Sequence, residues 1–137
     1  MQIAVSIDNN KEVKILPVTP TDFQIDYPIL SDEMDSVQYG SISILKKEGL
    51  ATVSISSVFT VKEHSFLQPG SSADGWGYVR WFRDNRRKLK PMRVVITGNS
   101  GKEYFNRLCS CETFTVTGIE KNGDIYYTAE FKQYRRV

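Results

Sequence analysis

Hydrophobic and polar residues alternate along most of this chain with the two-residue period of strands that have one covered face. Residues 2–8 place Ile3, Val5 and Ile7 on one side, and Asn9-Asn10 is a turn pair leading into residues 11–16. The chain is thus predicted to open with a hairpin, closed by Pro17 and Pro20. Residues 21–37 keep no sustained period; with Pro28 and the acidic Ser31-Asp32-Glu33-Met34-Asp35 they read as an extended arm or loop. Alternation returns from Val37, with Ile42 and Ile44 opposite Ser41 and Ser43. Lys46-Lys47-Glu48-Gly49 is predicted to turn this strand into residues 50–59, where Val53 and Ile55 alternate with Thr52, Ser54 and Ser56. That makes a second hairpin with one covered and one polar face.

A single helix is predicted over about residues 73–89. Pro69-Gly70-Ser71-Ser72 supplies a break and a capping hydroxyl, Asp74 favours the first turn, and basic residues gather toward the C-terminal end, where they complement the helix dipole. Val79, Phe82 and Leu89 form its apolar stripe, with Tyr78 and Trp81 beside it. Gly75 and Gly77 weaken the first turn by up to about 1 kcal/mol each, so a frayed start or a close backbone contact is expected there. Lys90-Pro91 stops the helix.

Val94-Val95-Ile96 marks a central strand over residues 92–97, turned by Gly98-Asn99-Ser100-Gly101. After a short segment, residues 112–119 set Phe114 and Val116 opposite Thr113, Thr115 and Thr117. Lys121-Asn122-Gly123-Asp124 is a strong hairpin signal into the last strand, residues 125–134. The expected fold is mainly β, a barrel or sandwich of about eight strands in one domain spanning residues 1–137, with one helix packed on it. Its predicted core is Ile42, Ile44, Val53, Ile55, Phe82, Val94, Ile96, Phe114 and Val116.

Composition agrees with a packed globule: 137 residues, 40% hydrophobic and 25% charged. No run approaches the roughly 18 apolar residues of a membrane span, and the N-terminus lacks the pattern of a signal peptide, so synthesis in a cytoplasm and no membrane partner are expected. Net charge is only +2, but it is unevenly distributed. Residues 1–38 carry seven acidic side chains against Lys11 and Lys14, whereas residues 80–93 carry seven basic ones against Asp84. Such polarity steers copies of one protein toward each other or toward an anionic partner.

The chemistry of a catalyst is hard to assemble from these residues. Gly98-Asn99-Ser100-Gly101-Lys102-Glu103 has two residues between its glycines where a phosphate-binding loop needs four, and Glu103 follows the lysine, so it reads as a turn. His64 is the one histidine, which excludes a multi-imidazole metal centre, and no local motif pairs it with Cys109 or a serine. Cys109 and Cys111 share a strand face at a spacing poor for a disulfide and read as free thiols. No catalytic residue, cofactor, metal or small-molecule substrate is expected. The interleaved arginines and aromatics of residues 76–90 are the best functional candidate, as a protein interface. The runner-up is a small β-barrel that binds nucleic acid through Arg80, Arg83, Arg86 and Arg87.

The order of local features resembles one family. Leu16-Pro17-Val18-Thr19-Pro20; Gly40-Ser41-Ile42; Gly49-Leu50 leading to Ile55-Ser56-Ser57-Val58-Phe59; the Trp-bearing helix followed by Lys90-Pro91-Met92-Arg93-Val94-Val95-Ile96-Thr97; and Gly123-Asp124-Ile125-Tyr126-Tyr127-Thr128 with Phe131-Lys132 and Tyr134-Arg135 carry the likeness. Together they resemble the N-terminal domain of LysM-containing baseplate and tail proteins of contractile phages and phage-tail-like bacteriocins, the type found in PBSX-like prophages. The resemblance implies a tail-tube-like β-barrel with no catalysis. It would join the tail tube to the baseplate or hub as a ring, expected to be hexameric, within a virion tail or tail-like particle. Family members usually continue into a linker and a LysM domain, absent from these 137 residues, and their phenylalanine-rich end of the second hairpin is Val58-Phe59-Thr60 here. A head-to-tail contact in such a ring is expected to pair the basic Arg80, Arg83, Arg86 and Arg87 and the aromatic Trp76 with the acidic Asp32, Glu33 and Asp35 of a neighbour.

Overall fold

The computed structural model describes residues 1–20, 22–36, 40–62, 64, 67–98 and 100–134, and of residues 30–36 and 41–47 the backbone only. Nine strands and one helix follow in the order β1 (Gln2–Ile7), β2 (Glu12–Ile15), β3 (Asp22–Asp26), β4 (Ile29–Ser36), β5 (Gly40–Glu48), β6 (Thr52–Phe59), α1 (Gly75–Arg87), β7 (Met92–Thr97), β8 (Glu103–Ile119) and β9 (Ile125–Gln133). Seven strands form one antiparallel sheet in the order β2-β1-β7-β8-β9-β6-β3, while β4 and β5 pair only with each other. The molecule is therefore mainly β with one helix packed on the sheet. Among the described residues β2 and β3 are the sheet's two edges.

The opening hairpin forms as the alternation predicts, with Ala4 opposite Ile15 and Ile7 opposite Glu12. Asp8, Asn9 and Asn10 all take positive φ in its turn, the conformation that short polar side chains tolerate best. The long β8 bridges the two halves of the sheet. Its first part pairs with β7 up to Cys109 opposite Met92, and its second part pairs with β9 from Cys109 opposite Gln133 onward. Register irregularities between Cys111 and Thr113 and between Val116 and Gly118 lie beyond that change of partner, and such bulges bend a strand.

Both halves bury their apolar side chains in one cluster. Ile3 and Val5 of β1, Val53, Ile55 and Phe59 of β6, Met92, Val94 and Ile96 of β7, and Tyr127 and Phe131 of β9 all join it. At its centre Phe59 stacks on Tyr127 with ring centroids 3.9 Å apart and on Tyr78 at 4.9 Å. Phe82 lies 4.9 Å from Phe114. These contacts seat the helix on β6 and β8 and account for why its aromatic side chains are where they are.

Several expectations change. Residues 50–59 do not fold back on the strand before them: β5 pairs with β4, and β6 lies between β3 and β9. Lys46-Lys47-Glu48 is strand, since β5 runs to Glu48. Most of the segment 21–37, read as an extended arm or loop without regular pairing, is paired strand in β3 and β4. Of the predicted core, Val53, Ile55, Phe82, Val94 and Ile96 are buried and Phe114 packs against the cluster. Val116 is 37% exposed, because β8 bends just beyond it, and the side chains of Ile42 and Ile44 lie outside the described residues.

Candidate functional site

α1 is shorter than its sequence pattern by about two residues at each end. Asp74 is the cap itself, its Oδ1 accepting the Gly77 N–H at 3.1 Å, and the expected capping hydroxyl of Ser72 instead accepts the Asp74 N–H at 3.1 Å. The close backbone contact expected at the first turn is at Gly75, which is buried: a Cβ there would sit 3.0 Å from the Thr60 carbonyl oxygen. The C-terminus closes as a Schellman turn, with the Lys90 N–H donating to Asn85 O at 3.0 Å and the Leu89 N–H to Arg86 O at 3.1 Å. Leu89 therefore takes φ +56 and leaves the helix, 88% exposed. The apolar stripe that the sequence assigned to it ends at Phe82, since the next inward residue is the polar Asn85 and the helix stops before Leu89.

The inward face consists of Tyr78, Val79, Phe82 and Asn85. The Tyr78 hydroxyl donates to Ile15 O at 2.7 Å and accepts the Ser72 N–H at 2.9 Å, and burial holds its pKa above the usual phenol value. Asn85 donates from Nδ2 to Trp81 O at 2.8 Å, which satisfies its buried amide.

The outward face carries Trp76, Arg80, Arg83 and Arg87, at intervals of four, three and four residues, so they form one stripe about 16 Å long. All four side chains are exposed. Arg80 Nη2 lies 3.9 Å from Asp74 Oδ2, an exposed pair of little energetic weight. Arg86 is set apart from this stripe: its Nε donates to Cys111 O at 3.2 Å and its Nη2 to Glu112 O at 3.0 Å, which ties the helix to the bend in β8. Two acidic residues of the first hairpin also reach the helix, one at its middle and one past its C-terminal end. Trp81 Nε1 donates to Glu12 Oε2 at 3.2 Å, and Lys90 Nζ lies 2.8 Å from Asp8 Oδ2. Asp32, Glu33 and Asp35 lie on β4, pairing with Ile44, Ser43 and Ser41, and their side chains lie outside the described residues.

The surface is suited to binding by charge and apolar contact. Among the described residues no three His, Cys, Asp or Glu side chains gather as a metal site. Burial pushes Cys109 up to about 12 and Cys111 up to about 11, which keeps both thiols protonated and poor nucleophiles near neutral pH. Both are free. No helix among the described residues is long and apolar enough to cross a membrane. Sequence reasoning missed Leu89 as a surface residue. Asp22 and Asp26, counted among the acidic side chains of residues 1–38, alternate with Phe23 and Ile25 on the edge strand β3.

No family model matches the chain. It is 29% identical over 130 residues to uncharacterized protein YqbP of Bacillus subtilis (strain 168), a match covering 94% of this chain. The chain spans 58% of the length of that relative. Among solved structures, a chain in the virion of a native gene transfer agent particle superposes with a TM-score of 0.55 at 14% identity, covering 98% of this chain and 92% of the other. A chain of the anti-feeding prophage baseplate, 6-fold symmetrised, gives 0.51 at 6% identity, covering 98% and 88%. The chain therefore shares its fold, along nearly its whole length, with components of a gene transfer agent virion and of a prophage baseplate.

Proposed function

We propose that this chain is a non-enzymatic structural component of a phage or phage-like contractile tail, joining the tail tube to the baseplate or hub through ring-forming contacts between copies. The observation that carries this reading is the whole-chain likeness to particle components: both solved chains are matched over 98% of these residues. The ordered sequence features that resemble tail and baseplate domains point the same way. A six-membered ring is the form this proposal takes, in keeping with the 6-fold baseplate whose chain shares the fold. Trp76, Arg80, Arg83 and Arg87 on α1, with the acidic β4 residues Asp32, Glu33 and Asp35, are the proposed contact residues. Arg86 is held by backbone carbonyls and acts in positioning the helix.

The test is direct. Tail-like particles purified from cells carrying the gene should contain the chain, and labelled antibody should mark the junction of tube and baseplate by electron microscopy. Particles assembled normally without it, or a chain recovered only free of particles, would overturn the assignment.

A further inference from the structure

Folding uses part of the charge imbalance inside the chain and leaves a specific remainder on the surface. Asp8 is engaged by Lys90, Glu12 by the Trp81 indole, and Arg86 by two carbonyls. Among the described residues Arg83 and Arg87 make no ion pair, nor do Asp22 and Asp26.

The two remainders are opposite in charge. On α1 the stripe Trp76, Arg80, Arg83, Arg87 runs about 16 Å, with apolar Trp76 at one end and the protruding Leu89 beyond the other. On β3, Asp22 and Asp26 stand about 13 Å apart at strand rise on the face opposite to Phe23, and exposed Tyr27 and Ile29 follow just beyond Asp26. β3 is also an edge, so its outer backbone groups have no strand partner. The stripe faces away from the sheet on which α1 sits, and β3 belongs to that sheet, so one chain cannot bring the two surfaces together. A second copy can, and such a contact is head to tail: it closes into a ring if the rotation permits.

We infer that the outward stripe of α1, capped by Leu89, receives the acidic and apolar segment 22–29 of a second copy. This rests on the reading that copies assemble, and it moves the acidic side of the contact from β4 to the edge strand β3. Carboxylates would meet guanidinium groups, and Tyr27 and Ile29 just beyond them would lie against Trp76 and Leu89, Trp and Tyr being residue types that anchor interfaces.

Charge reversal with mixing tests it on the whole 137-residue chain. One variant carries Arg83→Glu and Arg87→Glu; the other carries Asp22→Lys and Asp26→Lys. Each alone puts like charges across the contact and should self-associate about tenfold or more weakly than the unmodified chain in sedimentation velocity. Mixed in equal amounts, the two restore opposite charges at every contact and should recover association. Far-ultraviolet circular dichroism confirms that both are folded. Variants that assemble alone as well as the unmodified chain, or a mixture that fails to recover, would overturn the inference and leave the tail assignment standing. An unmodified chain that stays monomeric at millimolar concentration, or arginine-dependent capture of single-stranded DNA that the 22–29 substitutions leave unchanged, would overturn it too. Absence from tail particles is the separate result that removes the function itself.

Discussion

Lys90 Nζ lies 2.8 Å from Asp8 Oδ2, joining the turn of the first hairpin to the C-terminal end of the helix across 82 residues of sequence. The hydrogen bond from Lys90, aided by its charge, holds the Asp8 carboxyl below its ordinary pKa. A carboxylate with a depressed folded-state pKa contributes stability above its unfolded value, near pH 4, and loses that contribution as pH falls through the depressed value. Asp8→Asn should therefore melt slightly lower than the unmodified chain at neutral pH. The gap between the two melting curves should narrow as pH falls below the ordinary aspartate range and through the depressed value. A gap that persists unchanged to pH 2 would show that the Asp8 side chain acts by shape and not by charge.

The first turn of α1 separates two glycines that look alike in sequence. A Cβ on Gly75 would meet the Thr60 carbonyl oxygen at 3.0 Å, Ile125 Cδ1 at 3.2 Å and Phe59 Cβ at 3.2 Å, most of it rigid core. Gly75→Ala should cost about 1–3 kcal/mol in denaturant unfolding, as overpacking does. At Gly77 the obstacle is the Asp74 carboxylate, an exposed side chain that can swing away at the expense of the cap. Its loss, about 1 kcal/mol, roughly offsets the helix propensity gained, so Gly77→Ala should fall within about 1 kcal/mol of the unmodified chain.

Leu89 occupies the left-handed position of the Schellman turn, where glycine is the usual residue. Its side chain is exposed and adds little to the core. Leu89→Gly relieves the backbone, and the isolated chain should gain up to about 1 kcal/mol by the same unfolding measurement. Higher stability together with weaker self-association would separate the residue's role between copies from any role within one.

The thiols offer a check on burial. Desolvation raises Cys109 to about 12 and Cys111 to about 11, so iodoacetamide at pH 8 should modify the folded chain more than about tenfold slower than the denatured one, read by mass spectrometry. Raised thiol pKa values also mean that their contribution is complete below the unfolded value, near pH 8.5, and is lost as pH climbs toward 11 and 12. Replacing both by alanine should flatten this alkaline limb of the stability curve, whatever it costs at neutral pH.

The alternation of Ile3, Val5 and Ile7, of Val53 and Ile55, and of Val94 and Ile96 marked strands and their buried faces, because side chains two apart on a strand share a face whatever pairs with it. The helix and its polarity were legible for a similar reason, since its cap, its aromatics and its arginines are all local in sequence. The first and last hairpins were legible from their turns, but long-range strand partnership was not, because β3, β6 and β9 are remote in sequence and only packing of the whole core selects among antiparallel neighbours. The tertiary structure also decided which charges are left outside. Asp8, Glu12 and Arg86 are ordinary surface-type residues in the sequence, and they become internal ties only where β1, β2 and β8 pass the helix. Composition and period thus determined the elements and their inward faces, whereas the outward surface depends on contacts between segments remote in the chain.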